Sequence, residues 1–262
     1  MSTPDRVHEA AAVGFGREAA SYAGIRPSYP QAVVDLVAHD TPAGGTVCDL
    51  AAGTGIFTRQ LLRHGLDVTA VEPVEGMRRQ FHVDTPAGHV VDGTAEDLPF
   101  HDATFDVVTV AQAFHWFDAP VALAEIRRVL KPLGRLFLIW NERDHSEAWI
   151  RDWTQVVDSL ALGEGVRPYH RHQDTDWAAV VDGGGGFTPV EHSVYDNPTV
   201  GTPDGLVERA RSMSYVASLD EERQRAVLDA VRRLVATHPD LAGSATFPFP
   251  YRTHVYVTRR AG

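Results

Sequence analysis

The chain has 262 residues, of which 24 are Lys or Arg and 35 Asp or Glu, for a formal net charge of −11. That balance argues against a nucleic-acid partner, because phosphate neutralisation by basic side chains supplies most of such affinity. The single cysteine, Cys48, excludes an intrachain disulfide. No apolar stretch approaches the ~18 residues of a membrane span, and the first twenty residues lack the apolar core of a signal peptide, so a cytoplasmic protein with no membrane partner is expected.

In chain order, a short helix is expected over residues 7–20, followed by a segment rich in Tyr, Pro and Arg. Pro30 opens an amphipathic helix, 31–39, with Val33, Val34, Leu36 and Val37 as its stripe. A strand at 46–50 meets a glycine-rich turn and a helix at 56–64, which Gly65 ends. Strands follow at 67–71, 89–91 and 105–110, the last nearly all apolar, as a strand buried on both faces should be. Asp118 is the expected N-cap of a helix over 120–130, and Lys131-Pro132-Leu133-Gly134 stops it before a strand at 135–140. Alternation at this spacing implies βαβ units and a largely parallel sheet.

Beyond Trp140 the rhythm changes. Residues 141–182 read as helical, 183–186 as a four-glycine linker and 187–195 as a strand. Thr202-Pro203 starts another helix. Ser218 with Glu221 predicts a capping box for a long helix to His238, and a strand over 247–258 closes the chain.

The segment VCDLAAGTGIF carries the most chemistry. A strand ending at Asp49-Leu50 turns through small residues into a helix, which lets a ligand approach the backbone. Glu72, at the end of the next strand, is placed to accept hydrogen bonds from ribose hydroxyls. A dinucleotide site wants GxGxxG, and neither frame fits: read from Gly53 the third position is Thr58, and read from Ala51 it is Ile56. A nucleoside without a pyrophosphate needs only the shorter turn.

With DLAAGTG, the segments VEP (followed by Met77), GTAEDLPF, FDVVTVAQAFHWF and AEIRRVLKPLGRLFLIW occur in series. Together they resemble the class I S-adenosylmethionine-dependent methyltransferases, in the group of ubiquinone/menaquinone-biosynthesis and trans-aconitate enzymes. The resemblance is strong over residues 15–141 and looser beyond. It implies a doubly wound, mostly parallel Rossmann-like sheet of seven strands with an antiparallel last strand, and a helical lid inserted after the fifth strand. The corresponding division is a cofactor-covering segment (1–30), a cofactor-binding core (31–141), and a lid with the closing strands (142–262).

The resemblance also implies roles. Asp49, Ala51, Gly53 and Gly55 would border the methionine half of S-adenosylmethionine, and Glu72 would hold its ribose. Met77 would pack on the adenine, although on a helix it equally reads as core. Thr94 and Ala95 would meet the adenine edge, and Gln112 would lie near the methionyl group. Tyr22 and Arg26, in YAGIRPSYP, would fold over the cofactor, Arg26 pairing with a carboxylate and Tyr22 facing the sulfonium. Two departures stand out: Ala51 replaces the family's usual first glycine, and Thr94 replaces a common Asp.

A sulfonium methyl is already activated, so position is the main requirement. His115 is the candidate base, because its ordinary pKa lies close to working pH; holding the lid is the alternative role. Tyr29, Trp116, Trp140, Arg143 and Tyr215 are the candidate substrate contacts, with Trp149, Trp153 and Arg252 nearby in the lid. No Asp/Asn-Pro-Pro-Tyr/Phe follows the fourth strand, which disfavours methylation of nucleobase or glutamine nitrogens. No metal is expected; His170 and His172 lack a third ligand close in sequence. The expected activity is methyl transfer to an oxygen, carboxylate or hydroxyl, of a small molecule, by a monomer or homodimer. A cofactor-binding cyclase or regulator on the same fold is the alternative.

Overall fold

The computed structural model describes residues 27–163 and 174–262. The helix expected over 7–20, together with Tyr22, Arg26 and residues 170–172, lies outside them.

Helix α1 (Gln31–Asp40) buries Val33, Val34 and Val37. Strand β1 (Thr46–Leu50) leads through the glycine turn into α2 (Ile56–Arg63), whose Phe57, Thr58 and Leu61 face inward. Strand β2 (Asp67–Val71), helix α3 (Glu75–Asp84), the short β3 (His89–Val91) and the buried β4 (Phe105–Ala111) follow. Asp118 caps α4 (Ala119–Val129) by accepting from the Val121 amide, as its position before Pro120 implies. Strand β5 (Leu130–Arg143) is longer than expected at both ends. The Lys131–Gly134 stop is an irregularity inside it, where the register with β4 shifts and Leu133 takes a φ of 64°.

Beyond β5, helices α5 (Ala148–Leu162) and α6 (Trp177–Gly184) replace the continuous helical reading, and residues 141–143 belong to the strand. Gly183 and Gly184 finish α6, so only Gly185 and Gly186, both at positive φ, serve as the turn. Strand β6 (Glu191–Asp196) starts later than expected. The small strand β7 (Thr199–Gly201) had no sequence signal. Then come α7 (Pro203–Arg211), the short α8 (Ser214–Ala217) and α9 (Glu221–Thr237). The cap of α9 is Asp220, whose carboxylate accepts from the Arg223 amide; Ser218 bonds back to the Tyr215 carbonyl instead. Pro250 divides the closing strand into β8 (Phe247–Phe249) and β9 (Tyr251–Arg259). β8 pairs with β7, and β9 enters the main sheet.

The main sheet has seven strands in the order β3-β2-β1-β4-β5-β9-β6. The first five run parallel; β9 is antiparallel to β5, and β6 to β9. One face packs Leu50, Val108, Leu138 and Trp140 against α4 and α6. The other packs Val47, Val107, Phe137 and Ile139 against α1 and α2. The lid has a core of its own, in which Trp149 and Trp153 of α5 meet α7, α9 and the β8 phenylalanines. None of the described helices is long and apolar enough to cross a membrane.

Candidate active site

In an open parallel sheet the ligand crevice lies beyond the carboxyl ends of the strands, where the connections diverge to either side. Here β1 sits between β2 and β4, so the turns after β1, β2 and β4 share that edge. The glycine turn follows β1. Ala51 has a φ of 54°, Gly53 of 58° and Gly55 of 80°, three left-handed residues in five. Gly55 must be glycine twice over, since a Cβ there would stand 2.6 Å from the Phe81 ring. At Gly53 a Cβ would meet nothing within 4 Å; the turn faces open space at the point where a ligand would approach.

Glu72 closes this corner. One carboxylate oxygen accepts the Gly53 amide at 2.9 Å and the other the Val74 amide at 2.9 Å. Burial pushes its pKa up, while those two amides pull it down. A carboxylate has about four acceptor positions, so two remain for hydroxyl donors. Thr54 Oγ1, in the same turn, is buried with no hydrogen-bond partner among the described residues. It had not been singled out from the sequence, because a threonine between two glycines carries no periodic signal.

Asp49 serves the corner from below. It is 1% exposed, and its carboxylate accepts the hydroxyls of Thr58 (2.5 Å) and Thr109 (2.8 Å). Burial raises its pKa to about 6 against those two bonds. The structure thus places Asp49 as a brace between β1, α2 and β4. Met77 is buried on α3, and Ala95 is buried against the core of the α4 side. Thr94 is half-buried and bridges to Asp97. Burial pushes the Cys48 thiol far up, so it stays protonated and inert.

The second part of the rim surrounds the ends of β4 and β5. Gln112, at a φ of 60°, donates from its side chain to the Asn141 carbonyl at 2.8 Å. Asn141 accepts from Thr253 and Asn197, and both asparagines donate to the Ser28 carbonyl. This buried amide cluster ties the chain just before α1 to β5 and to the loop after β6. Sequence reading missed it, since its bonded members lie 29 to 169 positions apart.

The Trp140 indole donates to His115 Nδ1 at 3.3 Å. With that lone pair engaged, a neutral imidazole carries its proton on Nε2 and presents a donor there; a base at His115 would require the Trp140 bond to break. Trp140 itself, expected as a pocket wall, is 0% exposed and stacks on Trp177, so it supports His115 from within the core. Trp116 is half-buried beside His115, with ring centroids 5.1 Å apart. Tyr29 is likewise a packing residue: its ring meets Phe57 edge-on, and its backbone is clasped by the Gln60 amide. Tyr215 donates to Asp158 inside the lid.

Arg143 lies half-buried with its guanidinium 4.8 Å over the Trp153 ring and its Nη1 3.4 Å from Thr154 Oγ1. Arg209 covers the Phe249 ring at 4.6 Å and donates to the Tyr251 hydroxyl. Neither forms an ion pair with a carboxylate among the described residues. Two half-buried cations thus pack on one aromatic cluster, since the Trp153 and Phe249 rings meet edge-on.

The chain is similar to known proteins. A family model for a methyltransferase domain matches residues 48–138. A Mycobacterium tuberculosis protein described as an uncharacterised methyltransferase is 35% identical, over 92% of this chain and 93% of its own length. A malonyl-[acyl-carrier protein] O-methyltransferase from Erwinia pyrifoliae is 35% identical over 59% of this chain and 60% of its own. Among solved structures, one described as a putative type II methyltransferase from Anaeromyxobacter dehalogenans superposes with a TM-score of 0.65 at 22% identity, covering 90% of this chain and 97% of that one, and so shares the fold.

Proposed function

Since the chain belongs to the class I S-adenosylmethionine-dependent methyltransferases, we propose that it transfers the methyl group of S-adenosylmethionine to an oxygen of a small-molecule acceptor carrying an anionic group. The observation that carries this reading is the corner where Gly53 faces open space while its amide is held by Glu72. Glu72 there has acceptor capacity left for two ribose hydroxyls, and Thr54 Oγ1 has a hydrogen bond still to make. When bound, S-adenosylmethionine supplies the electrophilic methyl carbon.

The chain's own residues then position the acceptor. Arg143 and Arg209 hold its anionic group against the aromatic floor of the lid. His115 offers an Nε2–H donor that orients the reacting oxygen, while Trp140 fixes the ring. The net charge of −11 supports a small molecule over a nucleic acid. An oxygen acceptor is also what the Erwinia relative's name describes for that protein.

Calorimetry with S-adenosylmethionine, S-adenosylhomocysteine and NAD tests the site: the first two should bind and NAD should not. Incubation of methyl-labelled S-adenosylmethionine with a metabolite extract tests transfer. Label recovered in a small anionic product is expected; label left on the cofactor alone would favour a non-methylating member of the fold.

A further inference from the structure

Strand β4 ends at Ala111, paired with Ile139 of β5. Residues 140–143 of β5 therefore run past it with β9 as their neighbour, and overhang the crevice on the His115 side. Trp140 and Glu142 project from the same face, two residues apart. On that face Trp140 is opposite His254, and Tyr256 is opposite His192 of β6. The diagonal neighbours Glu142, His254 and His192 thus make a line from the rim to the sheet edge.

The distances give this line a chemical meaning. Glu142 Oε2 lies 3.6 Å from His254 Nε2, and His254 Nδ1 lies 3.1 Å from His192 Nε2. The two imidazole centroids are 5.2 Å apart with planes within 20°. With nitrogens 3.1 Å apart, the rings meet edge to edge along one hydrogen bond rather than face to face. His192 lies flat on Tyr256, centroids 4.2 Å apart and planes within 6°, which fixes its ring. It is exposed, so the outer end of the line reaches solvent.

We propose that Glu142 is the catalytic base for a hydroxyl acceptor, and that His254 and His192 form the proton exit behind it. This deepens the methyl-transfer reading and rests on it; it names a protic hydroxyl, rather than a carboxylate, as the reacting group. In the step, the acceptor oxygen bonds to the methyl carbon as the carbon–sulfur bond breaks, its electron pair returning to sulfur. The acceptor O–H bond breaks and its proton goes to Glu142. The proton then leaves by relay: Glu142 gives to His254 Nε2, His254 Nδ1–H gives to His192 Nε2, and His192 Nδ1–H gives to water.

The electrostatics agree. Burial, and then the Asp174 carboxylate, raise the Glu142 pKa to about 7, the range in which a base both binds and releases a proton at working pH. Burial lowers His192, and burial followed by the charges of His192 and Arg252 lowers His254, so both rings favour the neutral form that can pass a proton along. Among the described residues, the charged and titratable groups around Glu142 include His254, Arg252 and Tyr256 on β9, His192 and Asp196 on β6, Asp174 and Asp176 before α6, and His115 across Trp140.

The test uses the full chain, labelled S-adenosylmethionine and a metabolite extract as the acceptor pool, with rate followed against pH. Wild-type activity should rise with pH through about 7. Glu142→Gln should lose ~100-fold in rate and lose that rise, while calorimetry shows unchanged S-adenosylhomocysteine binding. His192→Ala should slow several-fold and recover in imidazole buffer, which a purely structural histidine would not do. A Glu142→Gln enzyme with the wild-type rate and profile overturns the relay while leaving methyl transfer intact. A wild type that binds cofactor but transfers no label overturns both. If Glu142→Gln does not fold, nitrogen spectra of histidine-labelled wild type decide: His254 and His192 titrating in one shared transition support the relay, and independent transitions contradict it.

Discussion

The glycine corner and the β5 rim lie on the same edge of one sheet, but they are built in opposite ways. The corner's main groups, from Asp49 to Glu72, fall within one βαβ unit, whose bonds join the glycine turn to the end of β2 and α2 to β1; the bond from Thr109 of β4 to Asp49 is the long-range addition. The rim draws on Ser28, Gln112, Asn141, Asn197 and Thr253, brought together only once β9 has inserted between β5 and β6. The corner follows from local sequence; the rim follows from topology. Sites shared within a family should therefore sit in the first kind of structure, and acceptor choice in the second.

The strongest way to break this contrast is at Gly55. Alanine there combines a left-handed φ with a clash against Phe81, and should cost about 3 kcal/mol in urea unfolding. Gly53→Ala, with free space opposite, should cost only about 1 kcal/mol yet weaken S-adenosylhomocysteine binding. Equal unfolding losses at both positions would mean that Gly53 faces packed atoms rather than open space, and unchanged binding would mean that it faces no ligand.

The rim is probed by Asn141→Ala, which leaves Asn197 and Thr253 with unmet hydrogen bonds. It should cost about 2 kcal/mol in the same assay, and a neutral result would remove the amide cluster as a structural tie. Asp49→Asn tests the corner's brace with the opposite sign. Folded Asp49 keeps its proton up to about pH 6, whereas its ordinary value is 3.8. Between those values the folded state binds more protons than the unfolded, so stability falls as pH rises. At pH 7 Asp49→Asn should be more stable than wild type by about 2 kcal/mol, and the fall between about pH 4 and 6 should vanish. The smallest expected effect is at Ala51, whose φ of 54° strains a Cβ; Ala51→Gly should gain about 1 kcal/mol in thermal unfolding.

The same division explains what the sequence revealed. Strands β1 to β4 and helices α1, α2 and α4 were legible within a residue or two, because apolar periodicity and short turns specify them locally; α3 was given no range, its apolar residues Met77 and Phe81 being too few to mark one. Glu72 stood out because a carboxylate at a strand end, past a small-residue turn, has few other uses, and the structure sets it against the Gly53 amide of that turn. The division of the closing strand at Pro250, and the β7–β8 pair that results, were not legible, since a β-strand's partner is set by the whole fold. The cap of α9 was misplaced by two residues because Ser218 and Asp220 are both good N-caps, and only the backbone of Asp220 points its oxygen at Arg223. Glu142, His254 and His192 carried no signal in isolation, and their line exists only in the order β5-β9-β6.

The most direct measurement is a crystal structure of the chain with S-adenosylhomocysteine. The ribose hydroxyls should lie within hydrogen-bond distance of the Glu72 carboxylate, with the sugar or methionine backbone against Gly53. A nucleoside bound elsewhere, with Glu72 still engaged only by the Gly53 and Val74 amides, would contradict the account.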